Sequence, residues 1–263
     1  MVAITKFSRE NIFDAVKQMY TDVATRPQMG FHFPTGRRAC EFLGYPSEQL
    51  DAVPPTALES FAGVGYPFRC DRISPGDIVL DVGAGAGTDA LISSLITGGS
   101  GKVYGLDMTD AMHDKLNGNI KKMGVKNVTP VLGNAEAIPL EDAVIDVITS
   151  NGVLNLVPDK KMAFAELHRV LKPGGRFQIS DIIIHQSEDE LVEAKNNPKL
   201  WAECIVGALY QENYIQWLEE AGFHNVEVLC HQDYFSKSSN ESTRQVAEHF
   251  KAESITLTGD KIA

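Results

Sequence analysis

The chain has 263 residues, 43% of them hydrophobic and 22% charged, which is typical of a folded protein that buries its own core. Its formal net charge is −11, and this acidic balance argues against a dedicated nucleic-acid-binding protein, because phosphate contacts need a basic face. Length and composition together predict one α/β domain with an appendage, or two small domains.

The residues ahead of the main domain predict a helical cap. Over 8–20 the apolar residues recur at the helical period, which indicates an amphipathic helix. An aromatic and basic loop follows at 31–38, and a glycine-rich loop at 60–68 precedes the first strand of the main domain. We therefore predict a cap at 1–72 and a main domain at 73–263.

From Asp77 onward the sequence alternates between apolar strands and helices. Such alternation predicts βαβ units, whose parallel sheet is covered by helices on both faces. The predicted strands are 78–82, 102–106, 128–132, 144–150 and 176–184, with closing strands at 226–229 and 254–258. The predicted helices are 88–97, 109–123, 159–171 and 211–221, and residues 186–210 form an insertion. The predicted fold class is α/β, with a doubly wound, mostly parallel seven-stranded sheet.

The cysteines and the N-terminal residues predict the compartment. The four cysteines lie far apart with no Cys-x-x-Cys pair, so their spacing predicts neither a metal site nor a disulfide framework. No charged-then-apolar leader and no apolar run of membrane-spanning length stand out. We expect a cytoplasmic protein with no membrane partner.

The stretch 78–89 predicts a ligand cradle. Its apolar strand contains Asp81 and is broken by Gly83, Gly85 and Gly87, and a helix begins directly after them. Glycine lacks a Cβ, so the turn accepts unusual dihedral angles and lets a ligand approach the backbone closely. The N–H groups at the start of the helix point back at the turn. Strand, turn and helix together predict a nucleotide-type binding site.

Three further strand ends indicate which nucleotide binds. Asp107 closes the second strand, where a carboxylate can accept hydrogen bonds from both ribose hydroxyls of NAD or of an adenosyl ligand. The glycine spacing, Gly-x-Gly-x-Gly, differs from the Gly-x-Gly-x-x-Gly of a pyrophosphate turn. Asp81, just before the glycines, can pair with a cationic sulfonium or ammonium group. Residues 133–136 end the third strand where an adenine ring would lie, and 146–151 end the fourth beside the reactive group.

These motifs occur in a specific combination. They are Asp81-x-Gly83-x-Gly85-x-Gly87, Asp107, Gly133-Asn134-Ala135-Glu136, the strand of Asp146, and Leu171-Lys172-Pro173-Gly174-Gly175. In this combination the chain resembles the class I S-adenosylmethionine-dependent methyltransferases over roughly residues 75–230. The resemblance implies a Rossmann-like methyltransferase fold, S-adenosylmethionine as cofactor and S-adenosylhomocysteine as product.

The resemblance also implies which residues contact the cofactor. They are Gly83, Gly85 and Gly87 along the methionine portion, Asp81 near its charge, Asp107 on the ribose, Met108 against the adenine, and Asn134 and Ala135 at the adenine edge. Tyr20 of the cap and Asn151 after the fourth strand are expected beside the cofactor. Related families often have Asp at position 134, but the carbonyl oxygen of Asn134 can also accept a hydrogen bond.

Several segments resemble the arsenite methyltransferases more closely. They are Gly105-Leu106-Asp107-Met108-Thr109, Ser150-Asn151-Gly152-Val153-Leu154-Asn155-Leu156, Ser180-Asp181-Ile182 and the segment from Trp201 to Ala208. That family holds trivalent arsenic with three cysteine thiolates. Here Val64 and Gly152 stand at two of those positions, and only Cys204 matches. Thiophilic arsenic needs several thiolates, so we expect the scaffold to be retained and the arsenic site to be lost.

We therefore expect methyl transfer to a small-molecule acceptor whose methylated O, N, C or S atom the sequence leaves open. His32 is a general-base candidate because its pKa lies near neutrality, and Arg37 can pair with a carboxylate or phosphate. The full candidate set is His32, Asn151 and Glu203 for catalysis and Arg37, Asn155, Cys204 and Tyr210 for the acceptor. The alternatives are an arsenite or thiol S-methyltransferase that uses Cys204, and a cofactor-binding module without chemistry. The glycine spacing disfavours a nicotinamide-dependent oxidoreductase, and the oligomeric state is not predicted.

Overall fold

The computed structural model describes residues 6–185, 205–238 and 240–263. Its strands are β1 (Ile78–Val82), β2 (Lys102–Asp107), β3 (Val128–Leu132), β4 (Ile145–Asn151), β5 (Leu171–Ile184), β6 (Leu209–Tyr210), β7 (Phe223–Gln232) and β8 (Glu253–Lys261). Its helices are α1 (Lys6–Thr25), α2 (Gly36–Leu43), α3 (Ser47–Asp51), α4 (Pro55–Leu58), α5 (Thr88–Thr97), α6 (Asp110–Met123), α7 (Lys160–Val170), α8 (Gln211–Glu220) and α9 (Glu241–Phe250). Short 3₁₀ turns lie at Pro67–Cys70, Leu154–Leu156 and Phe235–Lys237.

Seven strands form one sheet in the order β3-β2-β1-β4-β5-β8-β7, and the two-residue β6 pairs with β5. The pairs from β3 to β5 are parallel, while β8 runs antiparallel to both β5 and β7. This order confirms the predicted mostly parallel, doubly wound sheet. The strands β2 and β3 lie on one side of β1, and β4 and β5 lie on the other. The strand order therefore reverses between β1 and β4, and ligands bind at such switch points in open α/β sheets.

Helices cover both faces of the sheet. On one face, Leu91 of α5 and Leu116 of α6 share a buried cluster with Ile12 of α1. On the other face, Phe164 of α7 and Tyr214 of α8 pack against β4, β5 and β8. Because both faces are buried, β1 is apolar along its length except at Asp81 and needs no alternation of polar residues. None of the described helices is long and apolar enough to cross a lipid bilayer.

Helical elements precede the sheet, as the sequence predicts, and α5 begins and ends at the predicted residues. Several bounds differ from the expectation, among them β7 and β8, which extend beyond the predicted 226–229 and 254–258. β5 begins at Leu171 and not at residue 176, because Leu171 pairs with Ile145 and residues 172–175 form a bulge before the pairing resumes at Arg176. The helix α9 was not expected from the sequence; Asn240 caps it by accepting from the amides of Ser242 and Thr243.

Candidate functional site

A cleft of about 970 Å³, partly open to solvent, lies at the carboxyl ends of β1, β2, β3 and β4. Ligands bind at this edge of the strands in open α/β sheets. The sheet side is polar and is formed by the strand ends and the glycine turn. The opposite wall is apolar. It includes Phe13, Val16 and Tyr20 of α1, Phe61 of the glycine-rich loop 60–68 (the pre-core loop), and Leu156 and Val157 after β4.

The turn after β1 is shaped by glycines with positive φ. The amides of Gly83 and Ala84 both donate to the carbonyl of Leu106 at 2.8 Å, which fixes the turn against the end of β2. Gly83 has φ +72°, and a Cβ there would lie 2.2 Å from Cγ2 of Val153. Gly85 has φ +53°, but the nearest atom to a Cβ would be the sulfur of Met112 at 3.9 Å. The turn therefore excludes side chains at Gly83 by contact and at Gly85 only by backbone conformation.

Asp81 is a buried carboxylate that lines the cleft. Its exposed fraction is 2%, and its Oδ2 atom has no hydrogen-bond partner within the described chain. Burial raises the pKa of Asp81, and the neighbouring carboxylates of Asp89 and Asp107 raise it further. A buried, unpartnered acceptor costs free energy, which a cationic or donor group of a ligand would recover. This part of the cleft therefore suits an ammonium group.

Asp107 sits at the end of β2 with both oxygens engaged by backbone amides. Its Oδ2 accepts from the N–H of Gly85 at 2.9 Å, and its Oδ1 accepts from the N–H of Thr109 at 2.8 Å. Burial raises the pKa of Asp107, although these two amides oppose the rise. A carboxylate offers about four acceptor positions, so Asp107, which lines the cleft, can also accept from a hydroxyl group of a ligand.

Asn151 joins the end of β4 to the pre-core loop. Its Oδ1 accepts from the amides of Val64 and Gly65 at 2.7 and 3.1 Å. Its Nδ2 lies within 3.1 Å of the Tyr45 hydroxyl, the Gly65 carbonyl and Oδ2 of Asp89. A Cβ at position 63 would approach this amide to 2.5 Å, so the loop passes directly over Asn151.

Asp89 and Tyr45, which are not among the site residues predicted from the sequence, complete this network. The Tyr45 hydroxyl donates to Oδ1 of Asp89 at 2.6 Å. Burial raises the pKa of Asp89 to about 6, while the hydrogen bonds from Tyr45 and Asn151 favour its ionised form. The sequence signal for Asp89 is its place in the first turn of α5, directly after the glycines. Tyr45 carries no local signal, because its partners are distant in the sequence.

The far end of the cleft is closed by α1. Arg9 of α1 forms an ion pair with Glu136, which lies after β3 and is 4% exposed. The Oε1 atom of Glu136 also accepts from the N–H of Asp159 at 2.7 Å. Next to it, Oδ1 of Asn134 accepts from the N–H of Glu136 at 2.9 Å. The loop after β3 is therefore held by its own turn, by α1 and by the start of α7.

The cleft brings together nine of the ten predicted cofactor residues. They are Tyr20, Asp81, Gly83, Gly85, Asp107, Met108, Asn134, Ala135 and Asn151. Gly87 is not among the lining residues; a Cβ there would lie 2.4 Å from Cδ1 of Leu116, so Gly87 permits α5 to pack on α6.

Those predicted acceptor and catalytic residues that the structure describes lie elsewhere, apart from Asn151. Among the described residues, His32, Arg37, Asn155 and Tyr210 are outside the cleft lining. The ring of His32 packs edge-on against Phe33, and Arg37 pairs with Glu41 and Asp51 on the surface of the cap. Asn155 is fully buried, and Glu203 and Cys204 lie outside the described residues.

Val64 and Gly152, which stand at positions of arsenic ligands in the resemblance, are neighbours in the fold. A Cβ at Gly152 would lie 3.0 Å from Cγ1 of Val64. None of the described residues that line the cleft is a cysteine. Cys40 is buried, and burial raises the pKa of its thiol; burial also raises the pKa of Cys70 to about 12. Neutral thiols of this kind are poor ligands for a thiophilic metalloid.

A family model of a methyltransferase domain matches residues 73–222, which is more than half of the chain. The chain belongs to this methyltransferase-domain family. The matched range contains the glycine turn, Asp107 and Asn151, and the cofactor of this domain is S-adenosylmethionine. The cleft described above fits that cofactor, because it offers a carboxylate oxygen of Asp81 that no described residue partners, a second carboxylate at Asp107 and a glycine-rich turn.

Two curated relatives and one solved structure illustrate the similarity. An arsenite methyltransferase of Halobacterium salinarum is 36% identical over 188 residues, covering 72% of this chain and 47% of that protein. A ubiquinone/menaquinone biosynthesis C-methyltransferase of Klebsiella pneumoniae is 29% identical over 181 residues, covering 62% of this chain and 72% of that protein. The crystal structure of an arsenic(III) S-adenosylmethionine methyltransferase from Chlamydomonas reinhardtii matches with a TM-score of 0.64 and 28% identity, over 88% of this chain and 74% of that one. The chain spans about half the length of the arsenite methyltransferases that it matches.

Proposed function

We propose that this methyltransferase domain binds S-adenosylmethionine in the cleft and transfers its methyl group to a small organic acceptor. The observation that carries the proposal is the unpartnered carboxylate oxygen of Asp81 in a cleft built from glycines. Asp81 would hold the ammonium group of the methionine portion, and Asp107 would hold the ribose hydroxyls. Met108 and Ala135 would pack against the adenine, with Asn134 at its edge.

The chain's own part in the reaction is to position the acceptor and to exclude water. When bound, S-adenosylmethionine supplies a methyl group activated by a sulfonium sulfur, and S-adenosylhomocysteine is the product. In-line displacement at a methyl group depends mainly on alignment and on exclusion of water. The apolar wall formed by Phe13, Val16 and Phe61 supports both roles and favours an acceptor with an apolar body.

Other predictions remain part of this proposal. We propose the boundary at residue 72 between cap and cofactor domain, and roles for His32 and Arg37 once an acceptor is bound. We also propose a cytoplasmic location, a small-molecule partner and no nucleic-acid partner, the last on the net charge of −11.

Isothermal titration with S-adenosylhomocysteine tests the cofactor assignment. We expect stoichiometric binding by the wild type and roughly 10- to 100-fold weaker binding by Asp107→Ala, because a hydrogen bond to a charged group contributes about 1.5–3 kcal/mol. Asp110→Ala is the matched control, since Asp110 is exposed in the first turn of α6 and lies outside the cleft lining. Unchanged binding by Asp107→Ala, or stoichiometric binding of NADH by the wild type, would contradict the assignment.

Transfer of a labelled methyl group tests the acceptor class. The panel should contain phenolic, quinol, amine and carboxylate acceptors together with thiols and arsenite. Arsenite methylation is favoured by the similar relatives, but the described cleft offers no thiolate, so we expect transfer to an organic acceptor. Arsenite turnover that disappears in Cys204→Ser would favour the metalloid alternative. Cofactor binding without transfer to any member of the panel would favour a binding module.

A further inference from the structure

Two histidines and one glutamate from three neighbouring strands converge on the sheet. His185 directly follows β5, His231 belongs to β7, and Glu253 is the first residue of β8. The strand register explains the convergence, since Glu253 pairs with Ile183 and His231 pairs with Ile255. In sequence the three residues are widely separated, so no spacing motif indicates them.

The donor atoms of this cluster already face one another. The Oε1 atom of Glu253 lies 2.5 Å from Nε2 of His185 and 2.8 Å from Nδ1 of His231. All three donor atoms lie within 4.8 Å of one another. The carboxylate of Glu253 therefore already bridges the two imidazole rings.

The donor set matches the preferences of a borderline divalent cation. Imidazole nitrogens suit Zn²⁺ and its neighbours in the transition series, while a hard cation such as Mg²⁺ prefers oxygen ligands. In a tetrahedral site the ligand atoms are about 3.3 Å apart, because Zn–N and Zn–O bonds are about 2.0–2.1 Å long. The two contacts of Glu253 would thus open by less than about 1 Å when a cation replaces the bridging protons.

The remaining coordination position faces solvent. The side chains of His185 and His231 are 38% and 45% exposed, and that of Glu253 is 25% exposed. Water can therefore complete the coordination, and a cation can enter without unfolding the strands. None of the three residues lines the cofactor cleft, so this cluster is separate from the site described above.

We propose that His185, His231 and Glu253 form a binding site for a divalent transition-metal ion of the Zn²⁺ class. A bound ion links the end of β5 to β7 and β8, which are the antiparallel strands that close the sheet. The site exists only when these three strands are paired, so metal binding stabilises the folded state. This proposal is independent of the methyl acceptor and of cofactor binding.

Titration of the metal-free protein with Zn²⁺ and with Co²⁺ tests the proposal. We expect one ion per chain and, with Co²⁺, the visible absorption of a four-coordinate imidazole site. His231→Ala and Glu253→Gln should weaken binding at least tenfold, whereas His224→Ala, an exposed histidine at the other end of β7, should bind as the wild type does. Cys230→Ser should also bind normally, which excludes capture of the ion by the adjacent thiol.

Thermal unfolding supplies a second readout. A saturating concentration of Zn²⁺ should raise the Tm by about 5 °C, and the same concentration of Mg²⁺ should leave it unchanged. Circular dichroism in the presence of a chelator establishes that each variant folds before metal is added; Glu253→Gln keeps the side-chain size and serves if a histidine variant fails to fold. Absence of stoichiometric binding at micromolar Zn²⁺, or equal binding by wild type and Glu253→Gln, overturns the proposal.

Discussion

At the scale of single residues, the glycine turn makes different demands at two positions. Gly83 and Gly85 both have positive φ, but only at Gly83 would a Cβ collide with another side chain, that of Val153. We predict that Gly83→Ala lowers the free energy of unfolding by about 2–4 kcal/mol, from backbone strain plus overpacking. Gly85→Ala should lower it by only about 1 kcal/mol, since backbone strain acts there alone.

Urea denaturation of the two variants measures this difference. The double variant Gly83→Ala/Val153→Ala removes the colliding methyl groups and should recover part of the loss, while Val153→Ala alone should destabilise the protein. Equal effects of Gly83→Ala and Gly85→Ala, or no recovery in the double variant, would show that the contact with Val153 does not set the requirement.

Asn151 has a structural task that its position at a strand end does not reveal. Its side-chain amide holds Val64 and Gly65 of the pre-core loop and reaches Tyr45 and Asp89. We predict that Asn151→Ala lowers the free energy of unfolding by about 2 kcal/mol or more, because several buried partners lose their hydrogen bonds. Hydrogen exchange should locate the loosening at 60–68.

Asn117→Ala is the matched control for Asn151→Ala. The amide of Asn117 hydrogen-bonds to His113, one turn earlier in the same helix, so its removal should change stability by less than about 0.5 kcal/mol. Protection of residues 60–68 that stays at the wild-type level in Asn151→Ala would mean that the amide does not hold the loop.

At the scale of elements, α1 is attached to the cofactor cleft at both ends. Arg9 pairs with the buried Glu136, and Lys115 of α6 donates to the carbonyl of Ala24 at 2.9 Å. Between these attachments, Phe13 and Tyr20 face the cleft. We predict that Arg9→Ala weakens S-adenosylhomocysteine binding about 3- to 10-fold, because Glu136 loses its cation and α1 must be ordered upon binding.

Calorimetry together with hydrogen exchange over 9–25 measures this effect. Arg26→Ala is the control, since Arg26 directly follows α1 and forms an exposed ion pair with Asp22 of that helix, and such pairs contribute little. If Arg9→Ala and Arg26→Ala bind the cofactor equally well, the contact with Glu136 does not hold the cap.

The elements themselves could be predicted where local pattern and tertiary environment agree. α5 follows a run of glycines and is apolar, so its bounds were predicted from 88 to 97 as the structure has them. α9 was missed because its buried residues, Thr243 and Ala247, are small and give a weak apolar pattern. β7 is longer than predicted because its outer face is solvated, and the polar residues there hide the strand.

The residues of the site also differ in whether a local sequence pattern indicates them. Asp81, Asp107 and the glycines belong to contiguous motifs at strand ends, so the sequence predicts them. Only the fold brings together the residues of the pairs Arg9–Glu136 and Tyr45–Asp89. Their spacing in the sequence does not indicate that they are in contact. The same reason explains why the cluster of Glu253 with its two histidines had no sequence signal.

At the scale of the whole molecule, the core buries several carboxylates. Asp81 and Asp89 lie at the cleft, and Asp181 lies in β5 with no exposed surface. Each has its pKa raised by burial, so the folded protein retains protons that the unfolded chain releases. The contribution of these groups to stability is therefore present at acidic pH and is lost as the pH rises through the folded pKa.

Asp181 provides the cleanest test of this coupling because it lies outside the cofactor cleft. Burial raises its pKa to about 7, while the amide of Ile182, the hydroxyl of Tyr214 and the charge of Lys160 oppose the rise. In the unfolded chain the pKa of Asp181 is about 3.9. Ionisation of this group should therefore lower the free energy of unfolding of the wild type by up to about 4 kcal/mol between pH 4 and pH 8. Asp181→Asn keeps the shape of the side chain but cannot ionise.

We predict that Asp181→Asn is more stable relative to the wild type at pH 8 than at pH 4.5. Urea unfolding at several pH values measures the difference, and the two stability curves should converge toward acidic pH, where Asp181 is protonated in both states. Asp114→Asn, which replaces a carboxylate that is 85% exposed, should follow the wild-type curve throughout. A constant offset between Asp181→Asn and the wild type would mean that the pKa of Asp181 does not differ between the folded and unfolded states. Lys160 would then hold the folded carboxylate ionised.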